Sequence, residues 1–376
     1  MAVKGSIVWI DLLRILACFL VVLAHCCDPF VGAFDSDRSS FLWGVFTGSF
    51  VRCSVPLFVM MSGVLIMPTT LGMSEFYKKR LGRIVLPLVF WSIILPLLFA
   101  LYLNIVGYSS SPLIGEDNFN IGTTIRKIYT FIFSFNYDTT PLWYIYMLLG
   151  LYLVIPIINP WLKQASKREI QLFLGIWLFT LFIPYIKMAA PFLGYIGNFG
   201  NMEIFGVCDW NSYGTFYYVS GFIGYLVLAY YLVKYPLEWS LKKTLAYAIP
   251  VFMIGYFITF FGFVNIQKYF PGNYAYLEIC WYFTGINVFM MTLPVFVLMQ
   301  KINFTPKVWL RKLASLTFGI YLCHFVFVQI SYDILDNISY LPVMVRIIGM
   351  AVLAFAVSGA LVWIMKRWRV SKIFVD

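Results

Sequence analysis

IVLPLVFWSIILPLLFALYLNIV runs from Ile84 to Val106, 23 residues without one charged side chain. About 20 such residues carry a helix across the hydrocarbon of a bilayer. Ten stretches of this kind recur along the chain, near 7–27, 42–67, 84–106, 142–161, 170–187, 214–233, 244–264, 279–300, 314–332 and 342–365. With 62% hydrophobic and 11% charged residues, the chain has no soluble-domain composition. The pattern predicts an all-α integral membrane protein. Its expected form is one membrane domain over 1–376, a bundle of about ten transmembrane helices, with no soluble domain. The first stretch resembles a secretion signal, with Lys4 ahead of an apolar run. It is interrupted by Asp11 and Arg14, and no small-residue cleavage site follows, so an uncleaved anchor is expected.

The net charge of +11 suggests nucleic acid until its distribution is drawn. With loops assigned alternately from an inner N-terminus, 19 Lys and Arg fall inside and six outside. The inner set gathers at Lys78, Lys79, Arg80, Arg83, at Lys307, Arg311, Lys312, and at Lys366, Arg367, Arg369, Lys372. This is a positive-inside signal, and it predicts that both termini are cytoplasmic. A lipid bilayer, not nucleic acid, is the expected partner. The seven cysteines lie mostly in or beside spans without ligand spacing. They read as small apolar fillers, and no metal is expected.

Polar residues inside the spans carry the chemistry, because each is costly there. The first span holds Asp11, Arg14 and His25. Eleven helical steps bring His25 within about 20° of Arg14, and Asp11 is three residues before Arg14, so the three form one stripe. Arg14 and His25 lie about 16 Å apart along the axis, which puts Arg14 in the inner half and His25 near the outer end. The stripe reads either as a pinned Asp11–Arg14 pair with an interfacial histidine, or as a path leading to a proton-transfer residue. Arg80 and Arg83, spaced i, i+3 at an inner helix end, suit a phosphate clamp and equally a topology signal. Arg52 lies inside the second apolar run, followed by Pro56 and the Ser62–Gly63 pair, which permit a kink and close helix approach. His324 lies well inside the ninth span beside Ser315 and Tyr321, where a hydrogen-bonded structural role is expected. Glu278, opening the eighth span, reads as a helix N-terminal acid or as a group reaching the same cavity. Two longer outer segments stand out. IGTTIRKIYTFIFSF (121–135) suits an interfacial or re-entrant helix, and 188–213 suits a cover over a cavity or a plain loop with aromatic anchors.

Together these pieces resemble the membrane acyltransferase-3 family. The resemblance rests on Arg14 and His25 separated by ten residues with Asp11 ahead, on VPLFVMMSG (55–63), and on KKRLGRIVLPLVFW (78–91). PLWYIYMLLGLYLVIPII (141–158) and LTFGIYLCHF (316–325) extend it over nearly the whole chain. It implies transfer of an acyl group, commonly acetyl, from cytoplasmic acyl-coenzyme A to a hydroxyl of a surface glycan or glycolipid precursor. It further implies a multi-pass location in a bacterial plasma membrane. Acetyl-coenzyme A is then the donor substrate, with no bound cofactor expected. The resemblance places the catalytic histidine at His25, the donor-linked arginine pair at Arg80 and Arg83 and the first-span arginine at Arg14, which is expected to join the donor site, while Asp11 is expected in the catalytic set as the group that compensates Arg14. Arg52, Ser62, Trp143, Tyr144, Glu278 and His324 are the further pocket candidates. An acyl-histidine intermediate and direct base catalysis both remain open. The other reading is an ion- or proton-coupled transporter using Asp11, Arg14 and His25 as a relay. It expects internal repeats and paired broken helices, which the sequence does not display.

Overall fold

The computed structural model describes residues 8–131, 136–195, 204–208, 211–302, 305, 307–338 and 340–376. Lys4, the last four residues of the segment 121–135 and part of the segment 188–213 lie outside them. The helices are α1 (Val8–Val31), α2 (Arg38–Phe50), α3 (Ser54–Ile66), α4 (Met73–Val106), α5 (Ile121–Tyr129), α6 (Trp143–Gln164), α7 (Lys167–Thr180) and α8 (Ile183–Ala189). They continue with α9 (Ile223–Lys234), α10 (Leu241–Tyr269), α11 (Tyr274–Trp281), α12 (Ile286–Lys301), α13 (Val308–Asp336), α14 (Val343–Met365) and α15 (Arg369–Lys372). The protein is an all-α integral membrane bundle. Among the described residues, nine helical stretches are long and apolar enough to cross a bilayer. Lipid offers no partner for backbone N–H and C=O groups, and helices satisfy them internally.

Four of the apolar stretches bend where the sequence reads as continuous. The run 42–67 breaks at 51–53 into α2 and α3. Pro56 lacks an N–H for the carbonyl of Arg52, and the break places Arg52 in a turn instead of a helix. The stretch 170–187 breaks between α7 and α8, and 279–300 between α11 and α12. The stretch 214–233 is a 3₁₀ segment over Gly214–Val219 followed by α9, with Gly221 at φ +76° between them. Glycine reaches that conformation without steric cost. At 12 residues, α9 alone is about 18 Å long, short of a bilayer core.

Cα packing divides the chain into two compact units. The first comprises Met1–Ser54, Leu71–Leu153 and Asn303–Asp376. Here α13 packs along α14, and α1 packs against α13, α14 and α2. Gly319 makes this approach possible: a Cβ there would lie 2.7 Å from Val362. Small residues let helices approach closely in lipid, where packing drives association. Cys18 Sγ donates to the Thr317 carbonyl at 3.4 Å, tying α1 to α13. Phe374 stacks on Phe90 at 4.0 Å and accepts from Trp91 Nε1 at 2.9 Å, which fastens the segment after α15 to α4. α5 lies against α4 and turns Ile121, Ile125 and Tyr129 outward, an exposed apolar stripe at i, i+4, i+8. That stripe suits a helix resting in the membrane interface.

The second unit comprises Val55–Thr70 and Val154–Ile302. α10 packs along α12 and α7 along α9. Trp177 is buried against Gly224, where a Cβ would meet its ring at 2.0 Å, and its indole donates to the Gly221 carbonyl at 2.8 Å. Gly63 brings α3 onto α9, since a Cβ there would meet the Leu226 carbonyl oxygen at 2.7 Å. Asn287 Nδ2 donates to the Cys280 carbonyl at 2.6 Å and to Thr259 Oγ1 at 2.8 Å. It thereby satisfies a carbonyl that the end of α11 leaves open.

Candidate functional site

The site is built in the first unit, where the C-terminal half of α1 meets α13. His25 is partly buried on α1. Its Nδ1 lies 2.9 Å from Asp28 Oδ2, one turn on, with side chains 17% and 36% exposed. A carboxylate only accepts, so in the neutral ring Nδ1 carries the proton and Nε2 keeps its lone pair. Pro29 follows at once, and having no N–H it cannot donate to the carbonyl of His25, four residues earlier. The backbone at His25 is thus loosened while Asp28 holds the ring.

The walls are aromatic. The His25 ring stands 5.1 Å from Phe325 and 5.4 Å from His324, centroid to centroid. Phe325 packs with Tyr137 at 5.0 Å and Phe99 at 5.8 Å. Tyr144 stands edge-on to Tyr321 at 5.5 Å, and the Tyr321 hydroxyl donates to the Pro141 carbonyl. His324 is fully buried, with Nδ1 2.6 Å from the Tyr321 carbonyl. Arg52, in the turn after α2, lies within electrostatic reach of Asp28 and Cys27.

Among the sequence-predicted residues, the structure brings His25, Arg52, Tyr144 and His324 into this one region. Trp143 adjoins Tyr144 with rings 6.3 Å apart. Asp11 does not join them. It lies 14 residues from His25, about 21 Å along the helix, and pairs with Arg14 at 3.8 Å. The carboxylate on His25 is Asp28, which the sequence reading passed over. The signal was present as HCCDP at 25–29, with the same i, i+3 spacing that ties Asp11 to Arg14. Arg80 is half-buried and Arg83 exposed in the first turns of α4, and neither makes an ion pair among the described residues. Ser62 belongs to the second unit, and its hydroxyl donates to the Phe58 carbonyl at 3.1 Å within α3. Glu278 also lies there, exposed in the last turn of α11. The N-cap of that helix is Asn273, so the N-terminal reading of Glu278 is corrected. Among the described residues, no cluster of three or more His, Cys, Asp or Glu has metal-binding geometry.

The family model described as an acyltransferase domain matches residues 7–363, 357 of the 376 residues of the chain. The chain belongs to the membrane acyltransferase-3 family. No curated protein and no solved structure matches it. The membrane bundle and the family together make this protein a multi-pass membrane acyltransferase. The family favours acyl transfer over solute transport.

Proposed function

We propose that this acyltransferase moves an acetyl group from cytoplasmic acetyl-coenzyme A to a hydroxyl of a cell-surface glycan or glycolipid precursor, with His25 as general base. The observation that carries the reading is the 2.9 Å contact of His25 Nδ1 with Asp28, which leaves Nε2 as the basic nitrogen inside an aromatic wall. The acceptor hydroxyl gives its proton to His25 Nε2 as its oxygen attacks the thioester carbonyl. The C–S bond then breaks, and the departing thiolate takes the proton back. Asp28 keeps the ring in one tautomer and favours the imidazolium that forms.

The donor is a multiply phosphorylated anion with a long thin arm. Arg80 and Arg83 are one helical turn apart on the cytoplasmic extension of α4, a spacing suited to phosphate oxygens. Arg14 lies about 16 Å from His25 along α1, with a third of its side chain accessible, and extends the cationic path inward. In this reading acetyl-coenzyme A is a substrate and the protein holds no resident cofactor.

The test is incubation of purified protein with acetyl-labelled coenzyme A, with and without membrane glycolipids. Label should pass to the glycolipid fraction, and Arg80→Ala with Arg83→Ala should weaken donor binding by about 1–3 kcal/mol. Label that stays on coenzyme A with every glycolipid fraction would refute the donor assignment. Unchanged donor affinity in the folded double variant would reduce the two arginines to topology signals.

A further inference from the structure

His324 carries a buried lone pair that no group among the described residues uses. Its Nδ1 faces the Tyr321 carbonyl at 2.6 Å, and a carbonyl only accepts, so Nδ1 holds the proton and Nε2 does not. Nε2 is buried without a hydrogen-bond partner among the described residues, and His324 has no solvent exposure. A buried acceptor left empty is costly, and native structures fill such groups. Polar groups in the same region have partners of their own: the Tyr321 hydroxyl donates to the Pro141 carbonyl, and Asp28 bonds His25 Nδ1. The adjacent imidazole is His25, 5.4 Å away between ring centres.

We propose that His324 is a positioning residue for the base: the proton that His25 takes onto Nε2 is held by a hydrogen bond to the Nε2 lone pair of His324. This rests on the reading of His25 as base. The balance of the reaction is unchanged. The hydroxyl O–H bond breaks, N–H forms on His25, the thioester C–S bond breaks, and the thiolate recovers the proton. His324 gives up no proton of its own and keeps its bond to Tyr321 throughout. The pair gives a use to a polar side chain in the centre of α13, where an apolar one would leave no acceptor open.

The test uses the full chain, labelled with ¹⁵N-histidine and held in lipid nanodiscs. The sequence has two histidines, so the spectrum contains two imidazoles, and each single substitution assigns the other. At neutral pH the His324 ring should show a protonated Nδ1 and a bare Nε2. On acidification its Nε2 resonance should move with the protonation of His25, and His25→Gln should remove that movement. Two substitutions separate this role from plain packing. His324→Asn retains a donor for the Tyr321 carbonyl and loses the acceptor. Its turnover of acetyl-coenzyme A with membrane glycolipid should fall about tenfold or more, the worth of one hydrogen bond to a charged group, with KM for the donor unchanged. His324→Gln returns a carbonyl near the Nε2 position and should recover part of that loss. A protonated Nε2 at neutral pH, a resonance indifferent to His25, or full turnover by His324→Asn would each overturn the proposal. If the wild type leaves acetyl-coenzyme A intact, the donor reading fails, and the spectra still decide the histidine pair.

Discussion

Asp28 is the single side chain on which the proposed chemistry of His25 depends most directly. Asp28→Asn keeps the volume and offers the imidazole an amide in place of a carboxylate, so the ring loses its fixed tautomer. Turnover should fall about tenfold or more, while donor binding and thermal stability stay near wild type. Wild-type turnover in this variant would remove Asp28 from the mechanism. Arg14 is the contrasting case. Its 3.8 Å separation from Asp11 and 35% exposure make a loose pair, weaker than a sealed ion pair. Arg14→Ala should cost about 1–2 kcal/mol by leaving the buried Asp11 carboxylate uncompensated, and Asp11→Asn with Arg14→Gln should recover most of it. Detergent melting curves compare the two, and a double variant no better than the single one would mean the residues act separately. Residue spacing revealed the Asp11–Arg14 pair and the stripe to His25 because helical geometry is fixed. It did not single out Asp28, which sits near the C-terminal end of the span, where a polar residue reads as ordinary interface.

At the scale of elements, the caps and breaks decide what the apolar pattern leaves open. Hydropathy marks where chain enters lipid, and it is blind to a turn inside an apolar run. The break that releases Arg52 depends on Pro56, and the one before α9 on Gly221. α2 shows how an element end carries pH dependence. Its N-cap is Asp37, whose carboxylate accepts from Ser40 Oγ at 2.5 Å and from the Ser39 and Ser40 backbone. Those bonds, led by the Ser40 hydroxyl, hold its carboxyl below the usual carboxylate range. A depressed carboxylate contributes stability above its unfolded-state value, and the contribution is lost as pH falls through the folded-state value. Asp37→Ala should therefore cost about 1 kcal/mol near neutral pH. The gap to wild type should shrink on acidification below the ordinary carboxylate range. Melting curves across that range check it, and a gap that widens at low pH would contradict the capping role.

For the whole molecule, the sequence carried the class of fold plainly, because ten apolar runs and a one-sided charge distribution have few other solutions. It carried the site less fully. The contact between His25 and His324 joins residues 299 positions apart on two helices, and no local periodicity reports it. The 19-to-6 basic split predicts a bundle with Arg80 on the cytoplasmic side, which is where the proposed donor would be met. Arg80→Cys should react with an impermeant thiol reagent from the cytoplasmic face of sealed vesicles. Labelling from the outer face alone would reverse the topology and separate the arginine pair from the donor. The central claim is that this membrane bundle transfers acetyl through His25. It is tested most directly by acetyl transfer from labelled acetyl-coenzyme A to membrane glycolipid, measured for wild type and for His25→Ala matched in folding and donor affinity. The account predicts a loss of about 10²–10⁴-fold in the variant, the usual contribution of a positioned base. More than about a tenth of wild-type transfer in His25→Ala, far above that range, would contradict it.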